Sequence, residues 1–179
     1  MMPPPTATLQ VVDRWAREMG NEVAPASATN TAGQTLPALS IKHGAVTLII
    51  VDQNGVLAVM SLINIPQEIR QATQSLSNEI QERILSALRS GLMDSPRTGW
   101  TLVPPTVTRV DELEAIQLFQ LLKVAEQGVE GFNRLADAIQ EVATMTIKLG
   151  AIYGGALKPG AALPPSTAKK TPDHNPIYR

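Results

Sequence analysis

The chain has 179 residues, a length typical of one domain that can bury a core without disulfides or metals. Charged residues make up 17% of it, below the ~25% usual for a globular domain, so part of its surface is easier to understand if a partner covers it. The net charge is −1 without a clustered basic face, which predicts no nucleic-acid partner. The absence of cysteine excludes disulfides, thiolate metal sites and cysteine nucleophiles.

The N-terminus and the apolar runs indicate where the protein resides. Residues 1–5 lack the basic and apolar regions of a signal peptide. The longest apolar stretch, residues 45–65, is interrupted by Asp52, Gln53, Asn54 and Gly55, so it is too short to span a membrane. We therefore expect a cytoplasmic protein that is neither exported nor inserted into a membrane.

The first predicted element is a helix that Thr6 or Thr8 caps and that runs to about Met19. Its apolar face comprises Leu9, Val12, Ala16 and Met19 at helical spacing. Gly20 and Asn21 end it, because both residues tolerate the left-handed conformation of a helix C-cap. Residues 22–33 are rich in Ala, Ser, Thr and Asn and predict a loop.

Three strands are predicted next, at residues 36–41, 45–51 and 56–63. The middle strand is rich in β-branched residues, as a buried strand would be. The last two strands are joined by Asp52-Gln53-Asn54-Gly55, and Asn-Gly readily adopts the positive φ of a tight hairpin.

Pro66 opens a second helix, which an apolar stripe extends to residue 92. The stripe comprises Ile69, Ala72, Leu76, Ile80, Ile84, Leu88 and Leu92. A strand follows at 99–103, which Pro104 and Pro105 interrupt and residues 106–110 could continue.

Residues 115–124 fit both a strand and a helix, and the strand is favoured because Gly128 follows soon afterwards. A last helix is predicted from Val129 to Leu149, where Gly150 ends it. The fold class is therefore α+β: an antiparallel sheet of about five strands flanked by three helices in the order α-β-β-β-α-β-β-α.

The chain is expected to divide into a flexible lead, a single domain and a tail. Residues 1–5 form the lead and residues 6–150 the α+β domain. Residues 151–179 are rich in proline and glycine and predict an extended or disordered tail, because such a segment cannot bury enough apolar surface to offset its ordering entropy.

The sequence offers no catalytic, cofactor-binding or metal-binding residue. His43 and His174 have no second histidine at ligand spacing, and His43 is expected to be a solvent-exposed turn residue. The glycine-rich segment 150–155 follows a helix, whereas a dinucleotide fingerprint follows a strand. Ser61, Ser86 and Ser90 lack the context of a nucleophilic serine. We therefore predict that the protein is not an enzyme and needs no cofactor.

Asp111, Glu112 and Glu114 form an acidic cluster with two interpretations. Buried near a substrate, the three carboxylates would suit acid–base chemistry. Exposed at the start of an element, they would be a solvated terminus that matches the local dipole.

Two segments are candidate partner-binding sites. The stripe residues Leu76, Ile80, Ile84 and Leu88 would be either core facing the sheet or a dimer seam. Ile177 and Tyr178 follow a flexible spacer, as in a peptide that docks into a groove or onto a sheet edge, although an idle terminus has the same pattern.

The order of elements, a meander followed by a long helix, two strands and a terminal helix, resembles the type III secretion chaperone-like superfamily. The resemblance covers roughly residues 6–149. It rests on the helix from Leu9 to Met19, the hairpin at Asn54-Gly55, the helix opened by Pro66 and the helix from Val129 to Leu149. It implies a module that binds polypeptides along its sheet face or helices, often as a homodimer, and it carries no catalytic signature.

These observations favour a non-enzymatic protein-binding module, a chaperone-like adaptor or assembly factor that is a homodimer or a complex subunit. Its sheet face or the helix at 66–93 would be the interaction surface. The alternative is a structural accessory subunit of a larger complex that its C-terminal tail anchors. A small-molecule sensor or enzyme built on the carboxylates at 111–114 is a third hypothesis.

Overall fold

The computed structural model describes residues 5–30, 32–123 and 128–156. In chain order, the elements of this part are α1 (Ala7–Glu18), β1 (Glu22–Thr29), β2 (Thr35–His43), β3 (Val46–Gln53), β4 (Val56–Asn64), α2 (Gln67–Gln74), α3 (Asn78–Met93), β5 (Gly99–Val103), a short 3₁₀ turn (Val110–Glu112), β6 (Ala115–Lys123) and α4 (Val129–Ala156).

The strands form one antiparallel sheet with the order β1-β2-β3-β4-β6-β5. The last two strands do not follow chain order in the sheet: β6 lies between β4 and β5 and pairs with both, so β5 is the edge strand. The predicted α+β fold class is confirmed, and the described residues form six strands in place of about five and four helices in place of three. The strand interpretation of residues 115–124 is also confirmed over Ala115–Lys123.

The predicted loop at 22–33 is wrong, because most of it is strand β1. This strand pairs with β2 from Glu22↔Lys42 to Thr29↔Thr35. At the following turn, the Asn30 carboxamide oxygen accepts hydrogen bonds from the backbone N–H groups of Ala32 and Gln34. The small residues of β1 give no local strand signal, so its conformation depends on pairing with its neighbour.

The single helix predicted for 66–92 is broken between α2 and α3. Ser77 caps α3 by accepting a hydrogen bond from the Ile80 N–H at 3.4 Å. The buried Gln81 side chain donates from Nε2 to the carbonyl oxygens of Thr73 and Leu76, both at 3.2 Å. The Gln81 amide therefore ties the first turn of α3 to the end of α2.

Residues 106–110 do not continue strand β5. After Pro104 and Pro105 the chain turns, and the Glu112 carboxylate accepts hydrogen bonds from the backbone N–H groups of Thr108 and Arg109 at 3.2 Å. This carboxylate fixes the 3₁₀ turn, so the backbone is committed to a turn rather than to a ladder.

Gly150 does not end the last helix, because α4 continues to Ala156. Beyond Gly150, Ile152 packs against the core and Tyr153 is buried. Burial of these side chains outweighs the low helix propensity of glycine. The predicted tail of residues 151–179 is wrong for its first six residues, which are helical, and its remainder, with Ile177 and Tyr178, lies outside the described residues.

The core lies between one face of the sheet and the helices. Alternate residues of the strands point into it: Leu39, Ile41, Leu48, Ile50, Leu57, Val59, Leu102, Ile116 and Leu118. Helices α1, α3 and α4 supply the other half, with Leu9, Val12, Leu88, Leu135 and Val142 among the buried residues. No helix of the described residues is long and apolar enough to cross a membrane.

Candidate interaction surface

The second face of the sheet carries no helix among the described residues. Helix α1 meets the core face where Thr6 Oγ1 donates to Asp52 Oδ2 at 2.7 Å, and α4 meets it through Gln140 and His43. On each strand, the residues that alternate with the core residues point to this second face, which we call the open face. Its central members are Ala38, Ile49, Val51, Val56, Ala58, Met60, Leu62, Phe119 and Leu121.

The open face is apolar at its centre. Leu62 and Leu121 are 55% and 63% exposed, and they are two of the few large apolar side chains of the described residues that are mostly open to solvent. The strand register sets Met60 beside Ile49 and Phe119, so the apolar side chains are contiguous across β3, β4 and β6. A contiguous exposed apolar patch on a protein marks an interaction site.

Two adjacent rows of side chains cross the strands at this centre. Ile49, Met60 and Phe119 form a row of large, partly exposed side chains, which we call the ridge. Ala38, Val51 and Ala58 form the next row, which we call the trough. The trough residues are only 3%, 0% and 4% exposed, so they add little to the solvent-exposed area of the open face.

Polar residues surround this centre. Lys42 and Glu22 pair at 3.4 Å at one corner, and Lys123 ends β6 at another. The Gln117 amide lies 3.7 Å from the Met60 sulfur. Because charges occur only at this rim, apolar contact rather than charge would drive recognition by the open face.

Both edges of the sheet are protected against pairing with another strand. On β1, Arg17 Nη2 donates to the Val23 carbonyl oxygen at 2.9 Å, and Pro25 has no N–H to offer. The opposite edge, β5, is only five residues long and is followed by Pro104 and Pro105. The open face is therefore better suited to binding than either edge.

The predicted partner-binding stripe faces inward. Ile84 and Leu88 are core residues, and Leu76 and Ile80 are partly buried against the core. The stripe therefore faces the core, which is one of its two predicted interpretations, and a partner cannot reach Ile84 or Leu88.

The three carboxylates of the acidic cluster do not converge. Asp111 pairs with Arg109 at 3.0 Å, Glu112 fixes the 3₁₀ turn, and Glu114 lies 3.6 Å from Arg70. Among the described residues, no group of three histidine, aspartate or glutamate side chains could hold a metal ion.

His43 is not a free turn residue, because it is partly buried at the end of β2. Its Nδ1 lies 2.8 Å from Asn21 Oδ1 and its Nε2 lies 3.1 Å from Gln140 Oε1. Asn21 is itself held by the Ala16 carbonyl oxygen, which accepts from Nδ2 at 3.1 Å. This histidine joins the end of α1, the sheet and α4.

Tyr153 also has a structural role near the end of α4. Burial raises the pKa of its hydroxyl to about 12, and the nearby Arg70 guanidinium opposes that rise. The phenol is therefore neutral at physiological pH.

Glu141 on α4 binds the loop between α3 and β5. Its carboxylate accepts hydrogen bonds from the hydroxyls of Ser95 and Thr98, and Gln120 Nε2 donates to Thr98 Oγ1 at 3.1 Å. Burial acts to raise the pKa of Glu141, but the hydrogen bonds outweigh it and the pKa lies below its ordinary value.

This depressed pKa predicts the pH dependence of stability. A carboxyl group whose pKa is lowered by folding stabilises the protein above its unfolded pKa, and that contribution is lost as pH falls through the folded pKa. We expect Glu141→Gln to lower the melting temperature most near neutral pH, and the difference from wild type to shrink below about pH 4.5. Thermal unfolding between pH 3 and 7 measures this. Glu130→Gln, which removes a carboxylate from an exposed ion pair on α4, is the control. A difference in melting temperature between wild type and Glu141→Gln that does not vary with pH would contradict the prediction.

Comparison with known proteins identifies the fold. No protein-family model matches the chain, and no curated protein matches it either. An uncharacterised protein from Methanothermobacter thermautotrophicus is similar in structure, with a TM-score of 0.66 at 10% identity over 84% of this chain and 99% of that one. YbjN from E. coli, a proposed transcription regulator, matches with a TM-score of 0.44 at 15% identity over 84% of this chain and 94% of that one, which is too low to support an argument. The chain therefore shares its fold with the archaeal protein, and its function must be argued from its own surface.

Proposed function

We propose that this protein is a non-enzymatic protein-binding module, a chaperone-like adaptor or assembly factor, whose binding surface is the open face. The observation that carries the proposal is the contiguous apolar centre of a sheet face on which no described helix packs, with Leu62 and Leu121 largely exposed. Apolar segments of another polypeptide would be the ligand, because the charged groups are restricted to the rim.

The element order adds support from a second direction. The order of elements still resembles that of the type III secretion chaperone-like superfamily: a meander is followed by a helical pair, two exchanged strands and a long terminal helix. It differs from the predicted order by one added strand and by the division of one helix. Its implied use of the sheet face agrees with the surface found here. Cytoplasmic location is part of the same proposal.

The rival hypotheses have less support. A carboxylate enzyme or sensor requires Asp111, Glu112 and Glu114 to converge, and each instead has a partner within the fold. The accessory subunit anchored by its tail stays a prediction, because its anchoring residues lie outside the described part of the chain.

The proposal predicts that the protein suppresses aggregation of a thermally unfolding client through the open face. We would measure light scattering of citrate synthase at its unfolding temperature with increasing amounts of the full chain. Leu62→Asp and Leu121→Asp should each weaken suppression several-fold, because a charge at the apolar centre must be desolvated on binding.

The matched control is Ile147→Asp, which places the same charge at a 59% exposed residue on the far side of α4. Circular dichroism would verify that all variants are folded. Equal suppression by all four proteins, or none by wild type, would contradict the proposal.

A further inference from the structure

We infer that Ile177 and Tyr178 of the same chain, which lie beyond its described part, cover the trough of the open face. The inference deepens the proposed function and rests on it, because it names a segment that competes with a client for the same surface. The burial of the trough, the exposure of the residues around it and the length of chain after α4 support it.

The trough is more buried than its described neighbours explain. Val51 is 0% exposed although the residues on either side of it in the row, Ala38 and Ala58, carry only methyl groups. Along the strand, Ile49 and Gln53 are about 6.7 Å away and are themselves accessible to solvent. The three trough residues are not part of the core cluster, and no described helix packs on this side. A further segment must therefore lie over them.

The covered area is narrow. Leu121 continues the trough row on β6 and is 63% exposed, and Leu62, on the far side of the ridge, is 55% exposed. The covered part runs only from β2 to β4, a width of about 10 Å, which about three residues of extended chain would span. The occupant is therefore a short peptide segment rather than a helix or a second sheet.

The segment that follows α4 is the one that can supply it. The chain outside the described residues consists of residues 1–4, 31, 124–127 and 157–179. Residues 1–4 lead into Pro5, which lines a groove on the α1 side of the sheet, and residues 124–127 are taken up by the connection from β6 to α4.

The position of α4 sets the distance that this segment must cover. The helix begins at the strand ends that hold the trough, where Leu135 and Lys123 line one cavity. Its last turns lie beside Arg70, which pairs with Glu114 before the start of β6, at the opposite end of the sheet. From Leu135 to Ala156 the helix rises about 32 Å.

This distance selects the far end of the segment. Extended chain covers about 3.3 Å per residue, so the first apolar group after α4, residues 161–163, extends at most about 23 Å from Ala156 and falls short of the trough. Ile177 and Tyr178 can lie up to about 70 Å from Ala156, which leaves enough chain to pass around the sheet.

The chemistry of these residues suits the trough. Its floor consists of methyl and isopropyl groups, so an aliphatic and an aromatic side chain laid on it are removed from water. Gln53 and Lys123, in the next row, offer polar partners to the Tyr178 hydroxyl. Pro176 has no N–H that would lack a partner above a surface of side chains.

Thiol reactivity of the full chain tests the inference. Because the chain has no cysteine, Ala58→Cys and Leu121→Cys each place a single thiol in the same row. The thiol at 58 should react with a maleimide at least tenfold more slowly than the thiol at 121. Adding Ile177→Asp with Tyr178→Asp should raise the rate at 58 at least tenfold, because carboxylates resist burial in the trough. Leu163→Asp, the control in the same segment, should leave that rate unchanged.

Two results of this experiment would overturn the inference. One is an equal rate at 58 and 121 in the otherwise native chain. The other is a slow rate at 58 that the paired aspartates do not raise. Circular dichroism would verify that each variant is folded.

Paramagnetic broadening in NMR spectra tests the same contact and leaves the trough unaltered. A nitroxide on Leu121→Cys should broaden the amide signals of Ile177 and Tyr178, and a nitroxide on Ile147→Cys, at an exposed residue of α4, should not. Isotope-labelled chain without nitroxide, mixed with unlabelled chain that carries it, should show no broadening, because the contact is within one chain. Broadening in this mixture alone, or in neither sample, would overturn the inference.

Client binding separates this inference from the proposed function. The paired aspartates at 177 and 178 should suppress citrate synthase aggregation at several-fold lower concentration, because client and segment share the open face. A thiol rate at 58 that depends on these residues, in a series where no variant alters citrate synthase aggregation, supports the segment and removes client binding. A thiol rate independent of them, in a protein whose suppression falls with Leu62→Asp, overturns the segment and leaves client binding in place.

Discussion

Leu88→Ala should lower the free energy of unfolding by about 2–5 kcal/mol, the usual cost of removing three carbons from a fully buried leucine and leaving a cavity. Leu88 is fully buried on α3, which packs against α4, so neither solvent nor a partner reaches it. Urea unfolding followed by circular dichroism measures the loss, with the midpoint shifted at constant slope.

The matched control for this substitution is Leu62→Ala on the exposed open face. It should change the free energy of unfolding by less than about 0.5 kcal/mol, because a largely exposed side chain contributes little to the core. The pair also decides between the two interpretations of the apolar stripe. If Leu88→Ala weakened self-association and left unfolding unchanged, Leu88 would belong to a dimer seam and its assignment to the core would fail.

Gly99→Ala should cost about 1–3 kcal/mol through overpacking on the edge of the sheet. A Cβ atom at Gly99 would lie 2.5 Å from Cε2 and Cζ of Phe119, its cross-strand neighbour. The aromatic ring covers the glycine and shields the backbone of this edge strand, so it must move if a side chain is added.

A double-mutant cycle isolates this contact. Phe119→Leu should recover much of the loss when it is combined with Gly99→Ala, because the shorter side chain leaves room for the methyl group. Gly150→Ala provides the same substitution within α4, where no described atom beyond the adjoining helix backbone lies within 4 Å of the new Cβ, and it should be neutral or stabilising. Independent effects of the two changes at 99 and 119 would show that the ring does not set the cost.

Local chemistry predicts the central hairpin almost completely. Asn54 and Gly55 adopt φ values of +56° and +85° as the Asn-Gly pattern indicates, and the Gly55 N–H donates to Asp52 Oδ1 at 2.9 Å. The differences arise where distant residues decide the backbone. Strand β1 depends on β2, and the extension of α4 beyond Gly150 depends on burial of Ile152 and Tyr153.

The open face was only coarsely predictable. Strands β4 and β6 are apolar on both faces, as Val59 with Met60 and Leu118 with Phe119 show. In an antiparallel sheet this pattern indicates that both faces are covered or that one is an interface. The sequence cannot distinguish these cases, because the side of the sheet on which α1 and α4 pack is set by their tertiary contacts.

The protected edges determine how far this protein can polymerise. Strand addition at an edge leaves a new edge and can continue indefinitely, which is the route to fibres. The Arg17 contact with the Val23 carbonyl and the proline at position 25 close that route on β1, and the short β5 closes it on the other side. The open face, in contrast, presents side chains and no row of unpaired backbone groups, so binding there creates no new edge for a further strand. The protein can thus expose apolar side chains at Leu62 and Leu121 without an edge that templates strand addition.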